Sequence, residues 1–193
     1  MTNDDKNIRD SIINAASELF AKFGFKKTTM DEIARAARKG KSSLYHYFNS
    51  KEDVFQAVLE KESNLIKEEV RKALEKEDSL IEKVRVYILT RMRMVKRLGN
   101  YYSAIRDEYY DNYGFIEKMR TKYFLDEAET IENILREGVE TGIFNIKELE
   151  LTAVTIIIAL KGLEFSWLFE KGIYDEMSID NMLEVLFYGI MKR

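Results

Sequence analysis

Apolar residues recur three and four apart through Ile8, Ile12, Ala15, Ala16, Leu19 and Phe23, the period of an amphipathic helix. Gly24 stops that helix, because glycine takes the left-handed conformation of a helix end without a Cβ clash. Thr29-Met30-Asp31-Glu32 then fits a capping box, in which the threonine accepts from the first turn and the glutamate reaches back. Met30, Ile33 and Ala37 give this second helix its stripe, and Arg38-Lys39-Gly40 ends it. A third short helix is expected from Lys41 to Phe48, with Leu44, Tyr47 and Phe48 on one face. Ser42 and His46 lie on its opposite face, flanked by Ser43 and Tyr45. Asn49 and Ser50 break the pattern. Ser50 to Asp53 reads as the cap of a long helix through Val54, Phe55, Val58, Leu59, Leu65, Ile66, Val70 and Leu74.

The remainder keeps the helical period. Ser79 with Glu82 caps a helix to about Arg97, and Leu98-Gly99-Asn100 is a break. A tyrosine-rich helix is expected from Tyr101 to about Asp111, and another from Phe115 to about Glu140, closed by Thr141-Gly142. Asn145 with Glu148 is expected to cap a helix reaching about Glu170, and Ser178 opens a last one to about Met191. Six of the seven residues in Thr152–Ile158 are β-branched, yet no second strand exists to pair with them, so the segment reads as buried helix. The fold class is all-α.

Composition narrows the chemistry. The 193 residues contain no cysteine, which removes disulfide scaffolds, cysteine zinc sites and thiol catalysis. One histidine makes imidazole metal sites and a His-dependent triad hard to build, and a di-metal carboxylate bundle needs Glu-x-x-His pairs from two helices. No proline is present, which suits long helices. No enzyme activity, metal or cofactor is expected. The first ten residues hold no apolar run, and Lys161 closes the longest apolar stretch, Leu151–Leu160, so a cytoplasmic protein without a membrane span is expected.

Charge is uneven. Residues 1–50 carry nine Lys/Arg against six Asp/Glu, while the chain as a whole is at −3. Within Lys22–Lys51 the ratio is eight to two. Local basicity on an acidic chain fits a polyanion-binding module joined to another module, or a solvated basic face with no partner. Two short helices joined by a glycine-containing turn are the helix-turn-helix pattern, whose second helix enters the DNA major groove by its N-terminal residues.

The runs Phe20-Ala21-Lys22-Phe23-Gly24-Phe25, Thr28-Thr29-Met30-Asp31-Glu32-Ile33-Ala34 and Leu44-Tyr45-His46-Tyr47-Phe48-Asn49-Ser50-Lys51-Glu52 resemble the TetR family of bacterial transcriptional regulators. The resemblance covers about Ile8 to Val58. It implies a helix-turn-helix DNA-binding domain over residues 1–50, a helical ligand-binding and dimerisation domain over 51–193, and a homodimer. It also implies operator contacts at Thr29, Lys41, Ser42, Ser43, Tyr45, His46 and Lys51, with Ser42, Ser43 and Tyr45 as candidates for base contact and the others for phosphate. One departure stands out: the family usually has Gly-Val-Ser where this chain has Arg38-Lys39-Gly40. The added charge is expected to favour phosphate binding over base reading.

Beyond residue 58 the chemistry is aromatic. Five of eleven tyrosines fall between Tyr101 and Tyr113, and Tyr102, Ile105 and Tyr109 share a face beside Arg106. With Tyr113, Phe124, Phe165 and Trp167 they are candidate lining for an amphipathic small-molecule effector, or simply a core stripe. Leu151–Leu160 and the last helix are apolar enough to pair with their symmetry mates. The expected partners are double-stranded DNA, an unidentified effector and a second copy bound through the last two helices. The expected function is a ligand-responsive repressor on a palindromic operator. A helical ligand- or protein-binding module without sequence-specific DNA recognition is the alternative.

Overall fold

The computed structural model describes residues 3–100, 114–163, 181, 183–185 and 187. Among them run seven α-helices: α1 (Asn3–Phe23), α2 (Met30–Ala36), α3 (Lys41–Tyr47), α4 (Lys51–Leu74), α5 (Leu80–Arg97), α6 (Gly114–Glu140) and α7 (Leu149–Leu163). Residues 181, 183–185 and 187 are also helical. Two compact units divide the described chain: residues up to Leu65 with 98–100, and residues from Ile66 to Arg97 with those beyond 113. None of the described helices is long and apolar enough to cross a membrane.

In the first unit α1 packs on α2 and α2 on α3. Ile12, Ala16, Ile33, Leu44, Val54 and Val58 are buried at its centre. Phe20, Phe25 and Phe55 form an aromatic knot with centroids 4.8–5.6 Å apart. Phe23, expected on the buried stripe of α1, is instead 49% exposed. Gly24 takes φ +79° directly after it, which turns the chain so that Phe25 faces the core. The loop behind that bend is tied to α4. Lys51 donates from its ammonium to the carbonyls of Phe25 and Thr28, each at 2.9 Å, and sits 4.4 Å from the Phe25 ring centroid.

Two helices end in the same hydrogen-bonded motif. After α2, the N–H of Lys39 bonds the Ala34 carbonyl at 2.9 Å and that of Arg38 bonds Arg35 at 3.0 Å. After α6, the N–H of Ile143 bonds Gly138 at 2.8 Å and that of Gly142 bonds Val139 at 3.1 Å. Such an end requires a left-handed residue just past the cap. Gly142 supplies it at φ +74°, while at the first corner Arg38 does so at φ +55°, a conformation that costs a non-glycine residue roughly 1–2 kcal/mol.

In the second unit α5 packs on α6 and α6 on α7. Val84, Ile88, Ile116, Ile131, Leu135 and Ile157 are among its buried residues. The expectation that Asn145 caps the next helix fails: residues 145–148 are not helical and α7 begins at Leu149. Phe144 is the reason. Its buried ring lies against Gly138, so closely that a Cβ at that position would fall inside the ring, and its N–H bonds the Gly138 carbonyl at 2.9 Å, which ties the chain back to the end of α6. The β-branched run of Thr152–Ile158 is helical, as expected. Ala153, Ile156, Ile157 and Leu160 are buried, while Leu151 and Ile158 stay 63% and 58% exposed.

These contacts make two stability predictions. Gly138→Ala forces the Phe144 ring aside and should destabilise the protein by about 1–3 kcal/mol in a denaturant titration. Lys51→Met strips two carbonyls of a charged donor and should cost about 2 kcal/mol in the same titration.

Candidate nucleic-acid interface

The helix-turn-helix corner is built from its caps. Thr29 sits at extended φ −116° and ψ 157° ahead of α2. Its Oγ1 accepts from the N–H of Glu32 at 3.3 Å, and the Glu32 carboxylate accepts from the Thr29 N–H at 2.8 Å and its hydroxyl at 2.7 Å. The Thr29 hydroxyl, followed by its N–H, holds the Glu32 carboxyl below its ordinary pKa. A lowered carboxylate pKa means the box is at full strength above the ordinary carboxylate range and weakens as pH falls through the lowered value.

α3 starts at Gly40, which offers no side-chain cap. Lys41 pairs with Asp31 at 2.8 Å, which brings the start of α3 to the first turn of α2. The pair is well exposed, so solvent screens it and its contribution to stability is small. Beyond it, Ser42, Tyr45 and His46 are exposed and Ser43 is half-buried, whereas Leu44 and Phe48 lie in the core. Tyr47 anchors the helix, with its hydroxyl donating to Asp5 of α1 at 3.2 Å and its ring edge-on to His46 at 5.0 Å. Partial burial and the Asp5 carboxylate push the Tyr47 phenol pKa up. The corner thus carries Thr29, Lys41, Ser42, Ser43, Tyr45 and His46, while Lys51 spends two of its three N–H groups on the loop carbonyls.

Of the expected effector residues, Tyr102, Ile105, Arg106, Tyr109, Tyr113, Phe165 and Trp167 lie outside the described residues. Phe124 is half-buried on α6, with the Lys161 ammonium 5.8 Å from its ring centroid. The open hollow on α6, about 640 Å³ and lined by Glu117, Lys118, Thr121, Lys122 and Leu125 among others, does not include it. Among the described residues no group of acidic or histidine side chains could hold a metal ion.

Two buried polar clusters escaped sequence reasoning. In the first unit Glu62, 5% exposed, accepts from Asn100 Nδ2 at 2.8 Å and Ser17 Oγ at 3.1 Å. In the second, Glu127 of α6 pairs with Arg91 of α5 and, at 3.3 Å, with Lys161 of α7. Burial pushes the Lys161 pKa down against the attraction of Glu127. The signal was present in both cases. Glu62 falls in register with Val58, Leu59 and Ile66, and Arg91 with Ile88, Met92 and Val95, so each lies on its helix's apolar stripe.

Residues 12–58 match the family model for bacterial regulatory proteins of the tetR family, a span covering α2, α3 and the start of α4. The chain is 26% identical over 186 residues to the HTH-type transcriptional regulator QacR of Staphylococcus aureus, covering 94% of this chain and 96% of that one. It superposes on a transcriptional regulator from Cytophaga hutchinsonii with a TM-score of 0.75 at 26% identity, over 95% of this chain and 98% of that one. The complex of SmeT with triclosan shares the fold, at a TM-score of 0.73 and 19% identity over 96% and 92% of the two chains. Residues 12–58, with their capped helix-turn-helix corner, thus match the N-terminal module of the bacterial tetR-family regulatory proteins, and the chain is similar over nearly its whole length to transcriptional regulators.

Proposed function

We propose that the protein is a repressor that binds a near-palindromic operator in double-stranded DNA as a homodimer and is released by a small molecule. The observation that carries this reading is the exposed side of α3, with Ser42, Tyr45 and His46, on a corner whose orientation is fixed by buried residues. Small hydroxyls and a phenol suit base edges, so Ser42, Ser43 and Tyr45 are assigned to base contact. Thr29, Lys41, His46 and the remaining N–H of Lys51 are assigned to phosphates. Residues 1–50 serve DNA, and residues 51–193 serve the effector and dimerisation.

A second copy is the partner that the apolar outer side of α7 fits. Leu151 at 63% and Ile158 at 58% exposure, with Val185 at 76% near the chain's end, are large apolar side chains left in water by one chain alone. Pairing these elements about a two-fold axis covers them and sets two copies of α3 about 34–36 Å apart, or a multiple of that, in successive major grooves. An amphipathic effector lined by Phe124, Tyr102, Ile105, Arg106, Tyr109, Tyr113, Phe165 and Trp167 releases the dimer by favouring another spacing. QacR supports the regulatory reading by overall similarity, and the triclosan complex of SmeT supports a small-molecule effector.

Selection of sites from a random double-stranded pool should enrich a palindrome with two half-sites, and failure of a folded dimer to enrich any sequence counts against the reading. Tyr45→Ala should lose about 1–3 kcal/mol of sequence discrimination in competition binding while remaining dimeric. Ile158→Glu should convert the dimer to a folded monomer in sedimentation equilibrium, and an unchanged mass would remove α7 from the interface.

A further inference from the structure

Arg38 is the one non-glycine residue at positive φ among the described residues, and it stands where the corner between α2 and α3 needs a left-handed residue. The chain meets the same need with glycine elsewhere, at Gly24 after α1 and at Gly142 after α6. The hydrogen bonds that follow α2 and α6 are equivalent, so the turn itself gives no reason for an arginine. A strained backbone at an exposed corner points instead to something its side chain does.

The charges around α3 narrow what that is. Lys41 is paired with Asp31, and Lys51 is bound to two loop carbonyls. Arg38 is exposed, and among the described residues its guanidinium has no hydrogen-bond or ion-pair partner. It lies two residues ahead of Gly40, from which α3 starts. In a helix-turn-helix the second helix enters the groove by its N-terminal end while the first crosses the backbone, so the residue between them rides at the phosphate rim. A guanidinium binds a phosphate through two parallel hydrogen bonds. We propose that Arg38 is a phosphate ligand for DNA, and that the strained turn is retained for this contact. The inference rests on the DNA-binding reading and adds a residue to it.

The test uses the full-length protein and a fluorescently labelled random-sequence duplex of about 30 base pairs, titrated between about 50 and 200 mM salt. Arg38→Gly relieves the turn and removes the charge, so the two effects have opposite signs. Its melting temperature should rise by about 2–4 °C, while its DNA affinity at low salt falls roughly tenfold. The slope of log affinity against log salt should flatten by about one per subunit. Arg38→Lys should keep the wild-type slope. Wild-type affinity and slope in Arg38→Gly overturn the proposal. A fall in melting temperature with unaltered DNA binding also overturns it, and assigns Arg38 to the negative end of the α2 dipole. Failure of the wild-type protein to bind the duplex at any of these salt concentrations would sink the DNA-binding reading itself, a result distinct from either.

Discussion

The ammonium of Lys51, seated on the Phe25 ring and on the carbonyls of Phe25 and Thr28, is the contact on which the helix-turn-helix corner depends. α2 and α3 have seven residues each, far below the length at which a helix is stable in water. They persist because α1 and α4 hold them from outside. The phenylalanine knot supplies the apolar part of that hold, and Lys51 supplies the polar part by satisfying two carbonyls that the bend at Gly24 leaves without helical partners. A lysine here does what no apolar residue can, since its stem packs while its head caps.

The second unit is organised differently. Its core carries Arg91 at 1% exposure, matched by Glu127 on the next helix and reached by Lys161 from a third. Such a group is poor evidence of stability, because removing two ions from water offsets much of their attraction. It is better evidence of specificity. Three helices that must present arginine, carboxylate and lysine to one another have fewer acceptable registers than three apolar ones, and the close seat of Phe144 on Gly138 fixes the loop between two of them.

Local features were legible in the sequence, because their causes lie within a few residues of one another. The box at Thr29–Glu32, the stop at Gly24 and the cap at Ser79, whose hydroxyl accepts from Glu82 at 3.4 Å, formed where their spacing placed them. Features decided by a distant partner were not. Phe23 matched the period of α1, but it was Phe25 that took a place in the core, against Phe55 of α4. Asn145 had the chemistry of a cap, yet Phe144 was already committed to Gly138. Lys51 reads as a phosphate contact in sequence, and its carbonyl partners lie 26 and 23 residues away. Periodicity tells which way a side chain faces on its own helix and nothing about what waits there. The exposed face of α3, with Ser42, Tyr45 and His46, was readable for the opposite reason, since an exposed residue needs no partner within the chain.

Those separations of 26 and 23 residues have a consequence for how the corner comes into being during synthesis. A nascent chain that has reached residue 50 contains all of α1, α2 and α3 but none of Lys51, Val54, Phe55 or Val58. The residues of α3 therefore exist in the peptide before anything can orient them. Only when the opening turns of α4 have left the ribosome can the loop carbonyls be capped and the aromatic knot closed. Any excised fragment meant to retain the corner must carry those turns with it.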